Sequence, residues 1–224
     1  MNSKEASFLA GTLSPEEILR AAGVYYITGD IEEGSLVEIS QDILLKHMNS
    51  EWNQDIMIVV NSCGGNLDEG WMLIDLLDYI RLDVVTLGLG TCASLGAMLV
   101  SSGTCGKRRL ARRTTLMTHL PGHYGLGGNH HVLTNEMKVV QREYDKTINF
   151  WLEKSSLKTQ AEVEKLIVSN QDTYLTPEEA IAYGIADEII THKKGVQIEP
   201  KAKTPARPKK KIPPKKASRS KKTV

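Results

Sequence analysis

No stretch of the 224-residue chain approaches the roughly 20 consecutive apolar residues that a membrane-spanning helix needs. Asp30, Asp68 and Asp75 interrupt the most apolar candidates, so no membrane span is expected. The first residues, MNSKEASFLAGTLSPEE, lack the apolar core of a secretory signal, and export by that route is not expected either. Cysteine is scarce. Cys63, Cys92 and Cys105 form no CxxC pair, and three thiols cannot all pair with one another. That usage excludes a disulfide framework and a metal knuckle, and it points to a reducing compartment such as the cytoplasm.

The net charge of +1 conceals a division. Residues 193–224 hold 13 Lys or Arg and a single acid, Glu199, giving +12, whereas residues 1–192 carry −11. The tail also contains Pro200, Pro205, Pro208, Pro213 and Pro214 and no aromatic residue. Such a segment has too little apolar surface to offset the entropy of ordering it, and disorder is expected there. Its charge suits an acidic partner, including nucleic acid, although no aromatic ring is present to stack on bases. The rest is long enough for one domain with a single core.

Within residues 1–192, runs rich in β-branched and aromatic residues alternate with helical patterns. GVYYITG (23–29), DIMIVVN (55–61), DVVTLGLG (83–90), TTLMTH (114–119) and DEIITH (187–192) read as strands. The second and third are nearly continuous apolar runs, as in strands covered on both faces. Helices are expected over 35–48 with Ser35 as N-cap, over 67–81, over 94–102, and after Thr176-Pro177. This rhythm predicts an α/β fold with a largely parallel sheet built of βαβ units. After the glycine-rich GHYGLGGN (122–129), a long helix carries Leu133, Met137, Val140, Tyr144, Ile148 and Trp151 on one face. That stripe either packs on the chain's own sheet or projects and requires a partner.

Two glycine-containing turns follow buried strands. In NSCGGN (61–66), Gly64 and Gly65 would let backbone N–H groups approach a ligand or a developing oxyanion, or they form an ordinary tight turn. The segment matches neither GxGxxG nor GxxxxGK[ST], so no nucleotide cofactor is implied. In GLGTCASLGAM (88–98), Ser94 lies where a strand becomes a helix, placed either to act as a nucleophile or to cap that helix. Cys92 two positions earlier departs from the G-x-S-x-G elbow. His119 ends strand 114–119, and ligands of open α/β sheets gather at the carboxyl ends of strands, which groups it with Ser94 and Gly64-Gly65. The adjacent His130 and His131 lack acidic partners, so no metal site is expected, and Asp172 alone reads as a loop carboxylate.

Taken in order, NSCGG (61–65), TCASLGA (91–97), MTHLP (117–121) and NQDTYLTPEEAIAYGIAD (170–187) resemble the motifs of the Clp protease proteolytic subunit family, with YITGDI (26–31) and GKR (106–108) as further matches. The resemblance covers about residues 20–192. It implies a crotonase-like ClpP fold with repeated βαβ units, in which helix 130–153 forms a protruding handle. It implies a serine peptidase domain over 1–192, with 1–19 as its N-terminal segment, followed by the basic tail 193–224. It further implies a Ser94–His119–Asp172 triad, oxyanion donors on the backbones of Gly65 and Leu95, and no metal or cofactor. The expected assembly is a homo-oligomer, a heptamer or a pair of heptamers, with a possible AAA+ unfoldase ATPase as partner and unfolded polypeptides as substrates. Cys63 stands where the family usually has Pro, Cys92 where it has Ala, and Leu120 where it has Gln; none removes a catalytic group. Gln171 stands where an Arg commonly takes part in ring–ring contacts, so a salt-sensitive double ring is expected. Only about 13 residues precede Ser14-Pro15-Glu16-Glu17, so an axial hairpin would be short and coupling to an ATPase weak. A non-catalytic ring subunit, an acyl-CoA-binding crotonase-type enzyme and a phage prohead-type protease are the alternative readings.

Overall fold

Capping and strand chemistry set the element boundaries. The structure, a computed structural model, describes residues 13–122, 129–169 and 171–191. The N-terminal segment before residue 13, the glycine loop containing His123, and the basic tail lie outside the described residues. Helix α1 (Pro15–Ala21) opens with Ser14, whose hydroxyl accepts the Glu17 N–H while the Glu17 carboxylate accepts the Ser14 N–H. There follow β1 (Val24–Ile31), α2 (Val37–Met48), β2 (Ile56–Gly65), α3 (Leu67–Tyr79), β3 (Val84–Ala93) and α4 (Leu95–Ser101). The second part comprises β4 (Arg108–Ala111), β5 (Thr115–Thr118), α5 (His130–Lys154), α6 (Gln160–Leu166), β6 (Thr173–Leu175), α7 (Pro177–Ala182) and β7 (Glu188–Ile190). The chain therefore has the expected α/β fold of repeated βαβ units.

The strands form one sheet in the order β1-β2-β3-β4-β7, every pair in it parallel. Strand β3 forks. Its first half pairs with β4 through Thr86–Arg108 to Gly88–Leu110, and its second half pairs with β5 through Thr91–Thr115 to Ala93–Met117. Strand β6 adds to β5 antiparallel. Ile56, Ile58, Val59 and Val60 of β2 are all buried, because helices cover both faces of the central strands. All seven residues of α4 are buried too. The hydroxyls nearby are satisfied: Ser101 and Ser102 donate to the carbonyls of Ala97 and Met98, and Thr86 donates to that of Val100. Gly70 of α3 makes room for α4, since a Cβ there would lie 2.1 Å from a Leu95 methyl carbon.

Several boundaries differ from the sequence reading. Strand β2 does not end at Asn61 but runs on through Gly65, still paired with β1. Ser35 is not the cap of α2. Its hydroxyl accepts the Glu32 N–H instead, and the Glu69 carboxylate takes the N–H groups of Gly34 and Leu36. Strands β4 and β6 and helix α6 carry no pattern that the reading used. Thr176 and Pro177 do open α7, with Glu179 completing a capping box. The long helix is buried toward its end and exposed toward its start. Ile148, Phe150 and Trp151 are buried, whereas Val132, Leu133, Met137 and Val139 are exposed.

Arg108 opens β4 inside the protein at 6% exposure, which is why RRLA does not read as a strand. Its guanidinium grips Asp187 through two bonds of 2.9 and 2.6 Å and donates to the Lys154 carbonyl at 2.6 Å, tying β4, β7 and the end of α5 together. Burial pushes the Asp187 carboxyl up, but the Arg108 side chain and the N–H groups of Arg108 and Gly106 outweigh it and hold its pKa below the usual value. A depressed folded-state pKa contributes stability that is complete above the unfolded value near 4 and fades as pH falls through the folded one. Asp187→Asn strands a buried cation, and denaturant unfolding is expected to show a loss of about 3–5 kcal/mol at neutral pH. The gap between the two proteins should narrow on acidification below about pH 4. Parallel loss of stability in both across that range would refute the assignment.

Candidate active site

Register brings four separated segments to one edge of the sheet. The β3–β5 pairing ends at Ala93–Met117, and the next residue, Ser94, donates its N–H to the Met117 carbonyl at 2.7 Å. The β2–β3 pairing ends at Ser62–Cys92, which carries Gly64 alongside Ser94. The antiparallel β5–β6 pairing includes Thr118–Thr173, so its continuation sets His119 opposite Asp172.

Ser94 has φ +53° and ψ −120°, and it is the one described non-glycine residue with positive φ. Side chains rarely tolerate such a backbone, and a serine held there at a strand-to-helix junction projects its hydroxyl from the turn. The hydroxyl caps nothing in α4. Instead it lies 2.7 Å from Nε2 of His119. Nδ1 of the same ring lies 3.4 Å from Oδ1 of Asp172, an ion-pair distance longer than a good hydrogen bond. The segment leading to Asp172 is pinned at two points. Thr118, buried beside His119, donates to the Ile167 carbonyl, and the Ser169 hydroxyl donates to the Gln171 carbonyl at 2.9 Å.

Gly64 (φ +95°) faces this junction so closely that a Cβ would lie 2.9 Å from the Ala93 oxygen, the Leu95 nitrogen and the Ser94 Cβ. Only glycine leaves that space open. Leu95 turns its side chain into the core against Gly70, and its N–H belongs to the first turn of α4, where no intrahelical acceptor exists. Gly65 lines the same cleft as Ser94 and His119, a pocket of about 360 Å³ walled by Leu67, Met98 and Trp151. In the sequence, Met98 ends the GLGTCASLGAM segment and Trp151 belongs to the apolar stripe of the long helix, and neither pattern marks it as a cleft residue. A second pocket of about 500 Å³ beside Asp78, Arg108 and Lys154 has its cations committed to Asp187 and Asp78.

Cys92 is buried, its thiol 3.3 Å from the Val60 carbonyl, and burial pushes its pKa up to about 12, which leaves it inert beside Ser94. All three cysteines are free. His130 and His131 are exposed at the start of α5, and no group of three metal-binding side chains occurs among the described residues. No described helix is long and apolar enough to cross a membrane. The site thus pairs a strained, half-buried serine with an imidazole in hydrogen-bond contact, an acid on the far side of the ring, and backbone N–H groups close by.

The family model described as Clp protease matches residues 14–193. The ATP-dependent Clp protease proteolytic subunit 2 of Thermobifida fusca (strain YX) is 34% identical over 140 residues, which is 62% of this chain and 66% of that relative. The alignment therefore spans just under two thirds of the relative's own length. With the family model covering most of its length, the chain belongs to the Clp protease family.

Proposed function

We propose that the chain is the proteolytic subunit of a self-compartmentalised serine endopeptidase, acting in the cytoplasm through Ser94, His119 and Asp172. The contact of 2.7 Å between Ser94 Oγ and His119 Nε2, on the one non-glycine backbone with positive φ among the described residues, carries the reading. His119 removes the hydroxyl proton as Ser94 Oγ attacks the substrate carbonyl. Negative charge then develops on the carbonyl oxygen, and the N–H groups of Gly65 and Leu95 receive it; each such donor is worth about 10²–10³ in rate. The imidazolium returns the proton to the leaving amine, and water releases the acyl group by the same steps in reverse. Asp172 accepts from Nδ1–H and fixes the tautomer. Its distance of 3.4 Å shortens when substrate fills the cleft, as catalytic contacts of unliganded enzymes commonly do.

The fold supplies a reason for enclosure. The exposed N-terminal half of α5 carries Leu133 and Met137 one helical turn apart, an unpartnered apolar stripe on an otherwise polar helix. Burying that stripe between copies gives the ring assembly, a heptamer or two facing heptamers, whose chamber admits unfolded chains. An AAA+ ATPase that unfolds and feeds polypeptide suits such a chamber. The peptidase unit ends near residue 192, and the tail from 193 to 224 is an appendage whose +12 charge suits acidic partners.

Ser94→Ala is expected to reduce cleavage of a short fluorogenic peptide by about 10⁴-fold or more and to abolish labelling by a fluorophosphonate probe, with melting temperature unchanged. Activity within tenfold of the parent protein would remove Ser94 from the mechanism. Asp172→Asn should lower kcat by about 10⁴-fold because the imidazole then adopts the wrong tautomer. An unchanged kcat would show that the 3.4 Å gap never closes. Met137→Glu, placed on the exposed stripe, should lower the mass measured by sedimentation. A parent protein that sediments as a monomer at every concentration would overturn the assembly.

A further inference from the structure

The central strand β2 slips against both neighbours at one level. Along β1, the pairing passes from Thr28–Asn61 to Asp30–Gly64, two steps on β1 against three on β2. Along β3, it passes from Val60–Gly88 to Ser62–Cys92, two steps on β2 against four on β3. Slips of this kind leave backbone groups without ladder partners, and inside a protein those groups must find others. On the β3 side, Asn61 Oδ1 accepts the Thr91 N–H at 3.1 Å. On the β1 side, Ser62 does the work with one hydroxyl. Its Oγ donates to the Gly29 carbonyl at 2.5 Å and accepts the Gly64 N–H at 3.0 Å. The side chain is 1% exposed, so no water competes for either bond.

Gly64 and Gly65 have no side chains to hold their peptide planes, and at φ +95° and +149° their backbones are freer than any other residue's would be. The ladder with β1 sets their register, and the Ser62 bridge limits the remaining freedom by holding the Gly64 N–H against Gly29 of β1. We infer that Ser62 is a positioning residue of the peptidase, acting through the Gly64 N–H to aim the following N–H of Gly65 at the oxyanion. The inference rests on the proposed function, which directs that N–H at the tetrahedral intermediate. Ser62 touches no substrate. Its loss allows the Gly64–Gly65 backbone to swing, and a displacement near 1 Å at a reacting centre costs on the order of 100-fold in rate.

The test uses the full-length protein with Ser62→Ala and with Ser62→Cys, which preserves side-chain volume while replacing the hydroxyl by a poor donor and acceptor. If the alanine variant fails to fold, the cysteine variant carries the experiment. Peptide cleavage should show kcat reduced about 10- to 100-fold with KM within about twofold, since the oxyanion exists only in the transition state. Labelling of Ser94 by a fluorophosphonate, whose attack also builds negative charge on oxygen, should slow by a similar factor. Unchanged kcat and labelling in a folded variant would overturn the inference, as would a loss confined to KM. A parent protein that reacts with neither peptide nor probe would instead overturn the peptidase reading itself.

Discussion

The backbone bond from Ser94 N–H to the Met117 carbonyl, 2.7 Å long, closes the fork at which β3 passes from β4 to β5. On the side away from β2, strand β3 pairs with β4 over Thr86–Gly88 and with β5 over Thr91–Ala93. The handover brings β5, and with it His119, against the residue that follows β3. Had β4 continued alongside β3 to its end, the imidazole would have no place beside Ser94. The same bond holds Ser94 in its unfavourable backbone conformation, which costs of the order of 1–3 kcal/mol and persists only when its surroundings fix it. Those surroundings are substantial. The whole of α4, beginning at the next residue, is buried between sheet and helices. A rigid, apolar helix on one side and a strand bond on the other leave Ser94 no relaxed alternative.

Much of this was legible in the sequence because it rests on local signals. The apolar runs of β2 and β3, the stripe of α5, and the Thr176-Pro177 start of α7 follow from periodicity and capping chemistry alone. The resemblance carried by NSCGG, TCASLGA, MTHLP and QDTYL further implied Ser94, His119 and Asp172 together, and these three lie in one chain of contacts. What escaped has long-range causes. Strand β4 begins with Arg108, whose burial makes sense only with Asp187 opposite it, far along the chain. Ser35 has the composition of a cap, yet α2 starts one residue later, after Leu36, whose N–H is taken by Glu69 of another helix. Three-residue β6 exists because β5 offers it an edge, and no pattern of three residues announces that. Gly64-Gly65 read as a turn because strands seldom contain glycine pairs. Here the pair lies within a strand, since both ladders have already slipped at Ser62.

Helix α5 shows how one amphipathic pattern serves two purposes. Thr147, Ile148, Phe150 and Trp151 enter the core, where Phe150 meets Trp71 and Trp151 edge to face, and Trp151 and Thr147 reach the wall of the cleft beside Ser94. Toward its start the same stripe continues through Leu133 and Met137 into solvent. Monomeric proteins rarely extend an apolar stripe beyond their own core. The continuity matters because the helix is one stiff rod, so whatever Leu133 and Met137 pack against is mechanically connected to the wall of the cleft. A ring that forms through the exposed half would therefore bear on the position of Trp151, and assembly and cleft geometry would not be independent. On the proposed reading, the exposed half of α5 is the far end of one wall of the cleft, and contacts between copies would have a physical route to the residues around Ser94.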